Sequence, residues 1–582
     1  IPWPVMAVRV RVPLAALLFS KIYIMQKNLI LSLSAVSLLM MSSCSGKLKD
    51  LSADNFTVTP NPLETQGGQV SATIDGTFPQ KYMKKKAVVT VIPQLRYAGQ
   101  STDGAGQTFQ GEKVLGNDQV IQYKVGGKYT MKTSFAYKPE MQKSDLYLTF
   151  DAKVGNKKVE VPAVKVADGI IATSELYKQT LANAGACIAP DSFQRVRAQK
   201  QEANIKYLIN QANIRKSELK NNSVKEFVSM LKKINADQKG LNMKNVEVLA
   251  YASPDGGVSF NDKLASKRQG TSENYVKDAL KKNKMNADID ANYTAQDWDG
   301  FQQLVSASNL QDKDVILRVL SMYKDPQERE QQIRNMSSTF RELADGILPE
   351  LRRARLIINY ETVGRSDDEI KQQYADDASK LSADELLYCA TLTNDANKKE
   401  EIYKKAAELY PNDYRTYNNA AAMAFNKGDE AEANSYLQKA FGADQKSPEA
   451  NANLALMALK NGNLQQAEAY VAKANDANDL NQVLGNLNIA KGNYAQAQDY
   501  LKGSDNNSAA LAQILNKDYA TADATLRNIK NKDGMTYYLQ ALLAARQGDN
   551  TTAASCLRTA VQKDPKLAQY AANDLELSKV SK

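Results

Sequence analysis

The sequence predicts a multidomain chain: an N-terminal β-sandwich, a central α/β domain with a helical insertion, and a C-terminal all-α repeat solenoid. Three observations predict it. Apolar and polar residues alternate with a period of two through residues 51–172. Strand-like and helix-like periodicities take turns between residues 195 and 361. From residue 375 onward a short turn followed by spaced alanines recurs to the C-terminus. At 582 residues the chain has room for about four domains of roughly 150 residues.

Composition narrows the function. The net charge is +10, but Arg9, Arg11, Lys21 and Lys27 lie in the first 43 residues, which hold no acid; without them +6 remains on more than 500 residues. So dilute a charge lacks the clustered basic face of nucleic-acid binding, and no nucleic-acid partner is expected. Histidine is absent. That excludes imidazole as base, proton shuttle or metal ligand, and with it the commonest hydrolase triads and zinc sites. No nucleophile elbow or phosphate-binding glycine loop occurs. The expectation is a protein with no catalytic residues, metal or cofactor, working by binding. Of four cysteines, Cys44, Cys187, Cys389 and Cys556, no two are close enough in sequence for a metal knuckle. Cys389 and Cys556 fall in the helical repeats, where core thiols are expected rather than a disulfide.

Residues 1–24 read as translated upstream sequence, with Met25 as the start. Lys27, the apolar stretch Leu29 to Met41, and Met41-Ser42-Ser43-Cys44 follow. This resembles a bacterial lipoprotein signal peptide over 25–43, which implies acylation of Cys44 and a lipidated tether over 44–50. The apolar run of about 13 residues is short of the ~20 that a spanning helix needs. Several acyl chains, at about 0.8 kcal/mol per buried CH₂, would hold the protein on a membrane. The resemblance implies an outer-membrane location. Lys47 and Lys49, in place of acidic residues after the cysteine, lean toward its periplasmic face, with surface exposure left open.

Residues 51–172 alternate as strands, Val70, Ala72 and Ile74 opposing Ser71 and Thr73, with Leu146, Leu148 and Phe150 repeating the pattern. Val125-Gly126-Gly127-Lys128 and Val154-Gly155-Asn156-Lys157 predict two-residue hairpin turns. Short strands between such turns predict an immunoglobulin-like sandwich serving as spacer or contact module. A linker is expected over 173–194.

In residues 195–361, Ile205, Tyr207 and Ile209 predict a strand, and Val224, Phe227, Val228, Leu231 and Ile234 an amphipathic helix. Val246 to Leu249 predicts a second strand. The loop Ala252 to Gly257 leads into a helix with Leu264, Tyr275, Val276 and Ala279, and Arg355 to Tyr360 closes the domain as a strand. Helices on one face of a small sheet follow. Trp298, Phe301, Leu304, Val315, Ile316, Val319 and Leu320 mark a helical insertion over about 294–350.

Asn261, Leu264 and Arg268 keep the spacing of the N-x-x-L-S-x-x-R-A helix of the OmpA-like peptidoglycan-binding family, with Ala265 and Gln269 at its serine and alanine positions. Leu351-Arg352-Arg353-Ala354-Arg355 is similar to that family's late N-R-R-V segment. The resemblance covers about 160 residues and implies a site where an arginine and an aspartate hold the zwitterionic end of a peptidoglycan stem. Arg268 matches the arginine. The aspartate position falls at Ser253, and Asp255 is the acid two residues on, so the implied site is Arg268, Asp255, Ser253 and Asn261. Loss of one charge-assisted contact would cost about 1.5–3 kcal/mol. The bland alternative is Arg268 supporting the loop in a module reused for protein contacts.

After a linker over 362–374, residues 375–582 carry the repeats. Asn426-Lys427-Gly428-Asp429 precedes Ala433, Leu437 and Ala440; Asn461-Gly462-Asn463 precedes Ala467, Val471 and Ala474, 34 residues on. Lys491-Gly492-Asn493, Lys517-Asp518 and Gln547-Gly548-Asp549 continue the series. The pattern resembles the tetratricopeptide family, with about six helix pairs, glycine closing first helices and alanine letting helices approach. Such arrays imply a groove lined by first helices. Its lining is expected from Asn418, Asn451 and Asn453, with Tyr417 and Tyr537 assigned to packing between helices.

Two functional readings follow. The first is a non-catalytic scaffold or adaptor lipoprotein anchored in the outer membrane, its OmpA-like module on peptidoglycan and its repeats on protein partners. The second is an accessory subunit of an outer-membrane secretion, surface-assembly or β-barrel-insertion complex, without peptidoglycan binding.

Overall fold

Residues 48–335, 337–578 and 580 are described by the computed structural model. The expected start, signal peptide and Cys44 acylation site lie outside the described residues. The chain divides into two compact units, one of residues up to 185 with 454–475 and 479–582, the other of 186–453 with 476–478. Among the described residues no helix is long and apolar enough to cross a membrane.

In the first unit, alternation makes the strands: every second side chain is buried along Gln69–Phe78 and along Ala87–Tyr97. The N-terminal region is strand-rich, as expected. Gln69–Phe78 pairs antiparallel with Phe56–Thr59, Thr65–Gln66 and Gly127–Ala136 in one sheet. Ala87–Tyr97 and Ser144–Val154 are the centre of a second, seven-stranded sheet. Side chains of both sheets share one core, where Phe78 stacks on Tyr82 at 5.3 Å and meets the edge of Phe109 at 5.2 Å.

The two glycine turns differ. Gly155, at φ +60°, joins Ser144–Val154 to Lys157–Val159 with Val154 opposite Lys157, a two-residue hairpin. The hairpin expected at 125–128 does not form. Gln119–Ile121 belongs to the second sheet and Gly127–Ala136 to the first, so the chain crosses between sheets there. Gly126, at φ +80°, has its α-carbon so near the Phe78 carbonyl that a β-carbon would come within 2.3 Å of the oxygen. Glycine is needed for close approach, not for a hairpin.

In the second unit, strands Val196–Lys206, Leu241–Tyr251, Asp288–Thr294 and Arg353–Val363 make one sheet. Its order is 196–206, 353–363, 241–251, 288–294, with only the last pair parallel. Helices Asn222–Ala236 and Val258–Lys282 pack on it through Val224, Phe227, Leu231 and Val276. The first strand ends at Lys206, so Ile209, expected within it, lies in the following loop and is exposed. The insertion folds as short helices between Trp298 and Leu351 around its own core of Phe301, Val305, Ile316, Leu343 and Leu351. Val315, one of the apolar residues that mark the insertion, faces solvent.

The C-terminal region is helical, as expected. Six helix pairs run from Ala383–Thr391 with Ala396–Leu409 to Gly534–Arg546 with Asn550–Lys563. Four of the six turns work the same way. Gly428, Gly462, Gly492 and Gly548 adopt φ between +72° and +83°, and the next residue caps the second helix. Asp429 accepts from the Glu432 amide and Asp549 from the Thr552 amide. Cys389 lies in the core, where burial raises its thiol pKa, and Cys556 is half-buried.

Two pairs lack the glycine: the first, which turns through Leu392 to Asp395, and the fifth. Lys517 holds φ +64° before the cap Asp518. A left-handed residue with a β-carbon costs about 1–2 kcal/mol. Lys517→Gly is therefore expected to stabilise the array by roughly 0.5–1 kcal/mol after glycine's chain-entropy cost, read as a higher urea midpoint; a lower midpoint would contradict the turn's role.

The last described helices add a titrating pair. The Tyr538 hydroxyl donates to Asp574 Oδ2 at 2.6 Å, and burial pushes the Asp574 carboxyl up to about 6. A carboxyl raised in the folded state binds its proton more tightly than the unfolded chain, near 3.9, does. Its contribution is thus fully present below about pH 4 and lost as pH rises through about 6. Asp574→Asn removes the buried charge, and the tyrosine hydroxyl can turn to accept from the new amide. The variant is expected to exceed wild type by up to about 2 kcal/mol at pH 7.5, the advantage vanishing near pH 4; thermal melts at both values check it.

Candidate functional site

Two sets of residues were expected to bind, and the fold treats them differently. In the α/β module, Arg268 lies on the helix Val258–Lys282 and is only 1% exposed. Its guanidinium donates to three main-chain carbonyls: Nε to Gln211 at 3.0 Å, Nη1 to Tyr251 at 2.8 Å and Nη2 to Leu208 at 3.2 Å. It also lies over the Tyr207 ring at 5.0 Å. Burial pushes its pKa down to about 10, so it stays charged at neutral pH. The arginine ties the loop after the first strand to the end of the second.

Asp255 and Ser253 sit in the loop before that helix. Asp255 Oδ2 accepts from Arg352 Nη2 at 2.9 Å, and the Ser253 hydroxyl donates to Asp255. Arg334, from the insertion, donates to the Asp255 carbonyl. Asn261 Nδ2 donates to the carbonyls of Ser253 and Gly256, both at 2.8 Å, and shapes the loop from within. Trp298, Phe301, Phe340 and Leu348 close over Pro254 and Asp255, leaving a space of about 10 Å³, at the threshold for one water. The four residues are neighbours, but each is already committed to the module's own atoms.

The groove is built otherwise. Asn418 and Asn419 lie on the first helix Tyr414–Lys427, and Asn453 on Pro448–Lys460. All three are buried, at 0%, 1% and 3% exposure. They hold an extended segment of the same unit. Asn453 grips Cys187 with both ends of its amide: Oδ1 accepts from the Cys187 N–H at 2.7 Å, and Nδ2 donates to the Cys187 carbonyl at 2.8 Å. Asn419 does the same at Ala189, at 2.7 and 3.0 Å. Asn418 Nδ2 donates to the Cys187 carbonyl at 3.0 Å, and its Oδ1 accepts from Asn453 at 2.9 Å. Asn426 accepts from the Ala186 amide at 3.3 Å, and Arg415 donates to the Asp191 carbonyl at 3.0 Å.

A carboxamide presents a donor and an acceptor side by side, the complement of one residue of extended main chain. Two such amides, two residues apart along the segment, read backbone rather than side chains. Asn451, expected beside them, instead donates to the Ser447 carbonyl at 2.8 Å inside its own helix start. Tyr417 packs near Tyr436 at 6.3 Å between ring centres, a packing contact. Sequence reasoning placed Asn426 in a repeat turn and counted Cys187 among the cysteines, but marked neither of them, nor Asn419, nor the strap Ala186–Ala189, as part of a binding site. Asn419 adjoins a flagged residue, and a run of small residues in a linker carries no distinguishing mark.

In the first unit, residues 173–181 lie on the later repeat helices Leu480–Lys491 and Asn507–Leu515. There Leu176 and Leu181 are buried, and Ser508 Oγ is 3.2 Å from Thr180 Oγ1.

These features define a modular chain whose helical-hairpin array clamps extended main chain. Neither a family model nor a curated protein matches it. Among solved structures, a tetratricopeptide repeat protein from Parabacteroides merdae is similar at 13% identity, covering 40% of this chain and 93% of that one, with a TM-score of 0.26. PilF from Pseudomonas aeruginosa is similar at 16% identity over 34% of this chain and 95% of that one, TM-score 0.24. A tetratricopeptide protein of Thermus thermophilus is similar at 14% identity over 32% and 96%, TM-score 0.17. Likeness at that level is too slight to rest on; the repeat character stands on the helix pairs and their turns.

Proposed function

We propose that the protein is a non-catalytic scaffold of the bacterial cell envelope, tethered to the outer membrane through an acylated Cys44, whose tetratricopeptide-like repeats hold protein segments. The observation that carries the reading is the asparagine clamp, in which Asn453 and Asn419 each bind both polar groups of one main-chain residue. Groups placed this way recognise an extended protein chain and have no nucleophile or general base to offer it.

Of the two readings of the OmpA-like module, we take the one without peptidoglycan binding: an accessory subunit of a larger outer-membrane assembly. Its support is the commitment of Arg268 to three carbonyls and of Asp255 to Arg352, which leaves neither charge for a zwitterionic stem peptide. Co-sedimentation of the purified protein with isolated sacculi tests this. The expected result is no more pelleted protein than for a control of similar charge; saturable pelleting competed by free stem peptide would overturn it. Affinity capture of the acylated chain from detergent-solubilised membranes is expected to retain an outer-membrane partner, and recovery of the chain alone contradicts the scaffold reading.

A further inference from the structure

We propose that Ala186–Ala189 is a displaceable internal occupant of the clamp, and that the groove admits in its place an extended partner segment with small residues matching positions 186, 187 and 189. The inference rests on the scaffold reading above and adds how the groove is kept closed and what opens it.

The case starts from what holds the strap. Ala186, Cys187 and Ala189 are 7%, 0% and 1% exposed, while Ile188 is half-buried and Pro190 exposed. The buried side chains are small, so apolar burial contributes little. The grip is almost wholly main chain to asparagine, and any extended peptide can make the same bonds. Exchange of one occupant for another thus leaves the bond count unchanged. By contrast, residues 173–181 are held by buried Leu176, Tyr177 and Leu181, which no generic peptide replaces. The strap begins just after Gly185, at φ +77°, and carries no helix or strand, so its release breaks no secondary structure.

The same burial sets specificity. A side chain larger than cysteine at position 187 has no room, so the clamp accepts alanine, serine, glycine or cysteine there and rejects leucine. An internal occupant also acts at high effective concentration, about millimolar for a short tether. A free peptide must therefore exceed that level, or the strap must be ejected, before the groove is filled from outside.

The test uses the full chain and a fluorescent peptide, Ala-Gly-Ala-Ser-Ile-Ala-Pro-Asp, the strap sequence with serine for cysteine. Ala189→Arg cannot seat in the clamp and frees it. The expected result is at least tenfold tighter peptide binding to Ala189→Arg than to wild type. Binding is lost when Asn419→Ala and Asn453→Ala are added, and lost also for a peptide with leucine at the serine position. Equal affinity for wild type and Ala189→Arg, or binding that survives the asparagine changes, overturns the proposal. Should Ala189→Arg fail to fold, excess peptide on wild type is expected to speed amide exchange at Cys187 and Ala189; unchanged exchange at several millimolar peptide overturns it too. If the peptide fails while the wild-type chain still retains an envelope partner, the scaffold stands and the displaceable strap falls. If the peptide behaves as expected and no partner is retained, the reverse holds.

Discussion

Arg268→Ala is expected to destabilise the α/β module by about 3–5 kcal/mol, rather than to leave a folded module with a missing ligand contact. The substitution removes the donor to the carbonyls of Gln211, Tyr251 and Leu208, all part-buried, and leaves a cavity beside Tyr207. Each hydrogen bond from a charged donor contributes about 1.5–3 kcal/mol. Arg268→Met, which fills much of the space but donates nothing, is expected to recover only part of the loss. Trp298 reports on the insertion closed over Asp255, and its fluorescence against urea follows this module more directly than a global melt of a multidomain chain. A folded Arg268→Ala module with unchanged unfolding would show that the three hydrogen bonds carry nothing. It would return the arginine to the role that the resemblance implies.

The second large effect is expected at Asn453. Asn453→Ala removes the partner of the Cys187 amide, one of two donors to its carbonyl, and the donor to Asn418 Oδ1. Losing this buried network is expected to cost about 2–4 kcal/mol locally. Asn453→Asp discriminates further. It keeps an acceptor for the amide but sets a carboxylate against the Cys187 carbonyl and the Asn418 oxygen. It is therefore expected to be at least as damaging as alanine. If Asn453→Asp held the strap as well as wild type, the two-ended amide would not be the recognising element.

How much of this was legible in the sequence depended on whether a local rule or a tertiary one decided each residue. Strand alternation along Gln69–Phe78 and the glycine–aspartate turns of the repeats are local, and they read directly. Gly126 looked like a hairpin glycine because a turn and a close approach both select glycine; only the neighbouring Phe78 carbonyl distinguishes them. Arg268 carried a recognisable spacing, yet spacing places a side chain on a helix face without saying what meets it. Here three carbonyls do. The repeat asparagines show the same limit. Asn451 and Asn453 lie two residues apart on one helix, some 100° × 2 around its axis. One turns back to its own helix start, the other into the groove. Nothing in the residue type separates them. The strap was least legible, since Ala184 to Pro190 has the composition of a linker and its role comes entirely from the amides that face it.

Amide hydrogen exchange on the full wild-type chain tests the central claim most directly, because the clamp's two gripped amides belong to a segment with no helix or strand of its own. The prediction is that Cys187 and Ala189 exchange far more slowly than an unstructured linker, and that Asn453→Ala speeds Cys187 on the order of 30- to 1,000-fold. Exchange of both amides at unprotected rates in the wild-type chain would contradict the clamp, and with it the reading of the repeats as a site for extended protein chain.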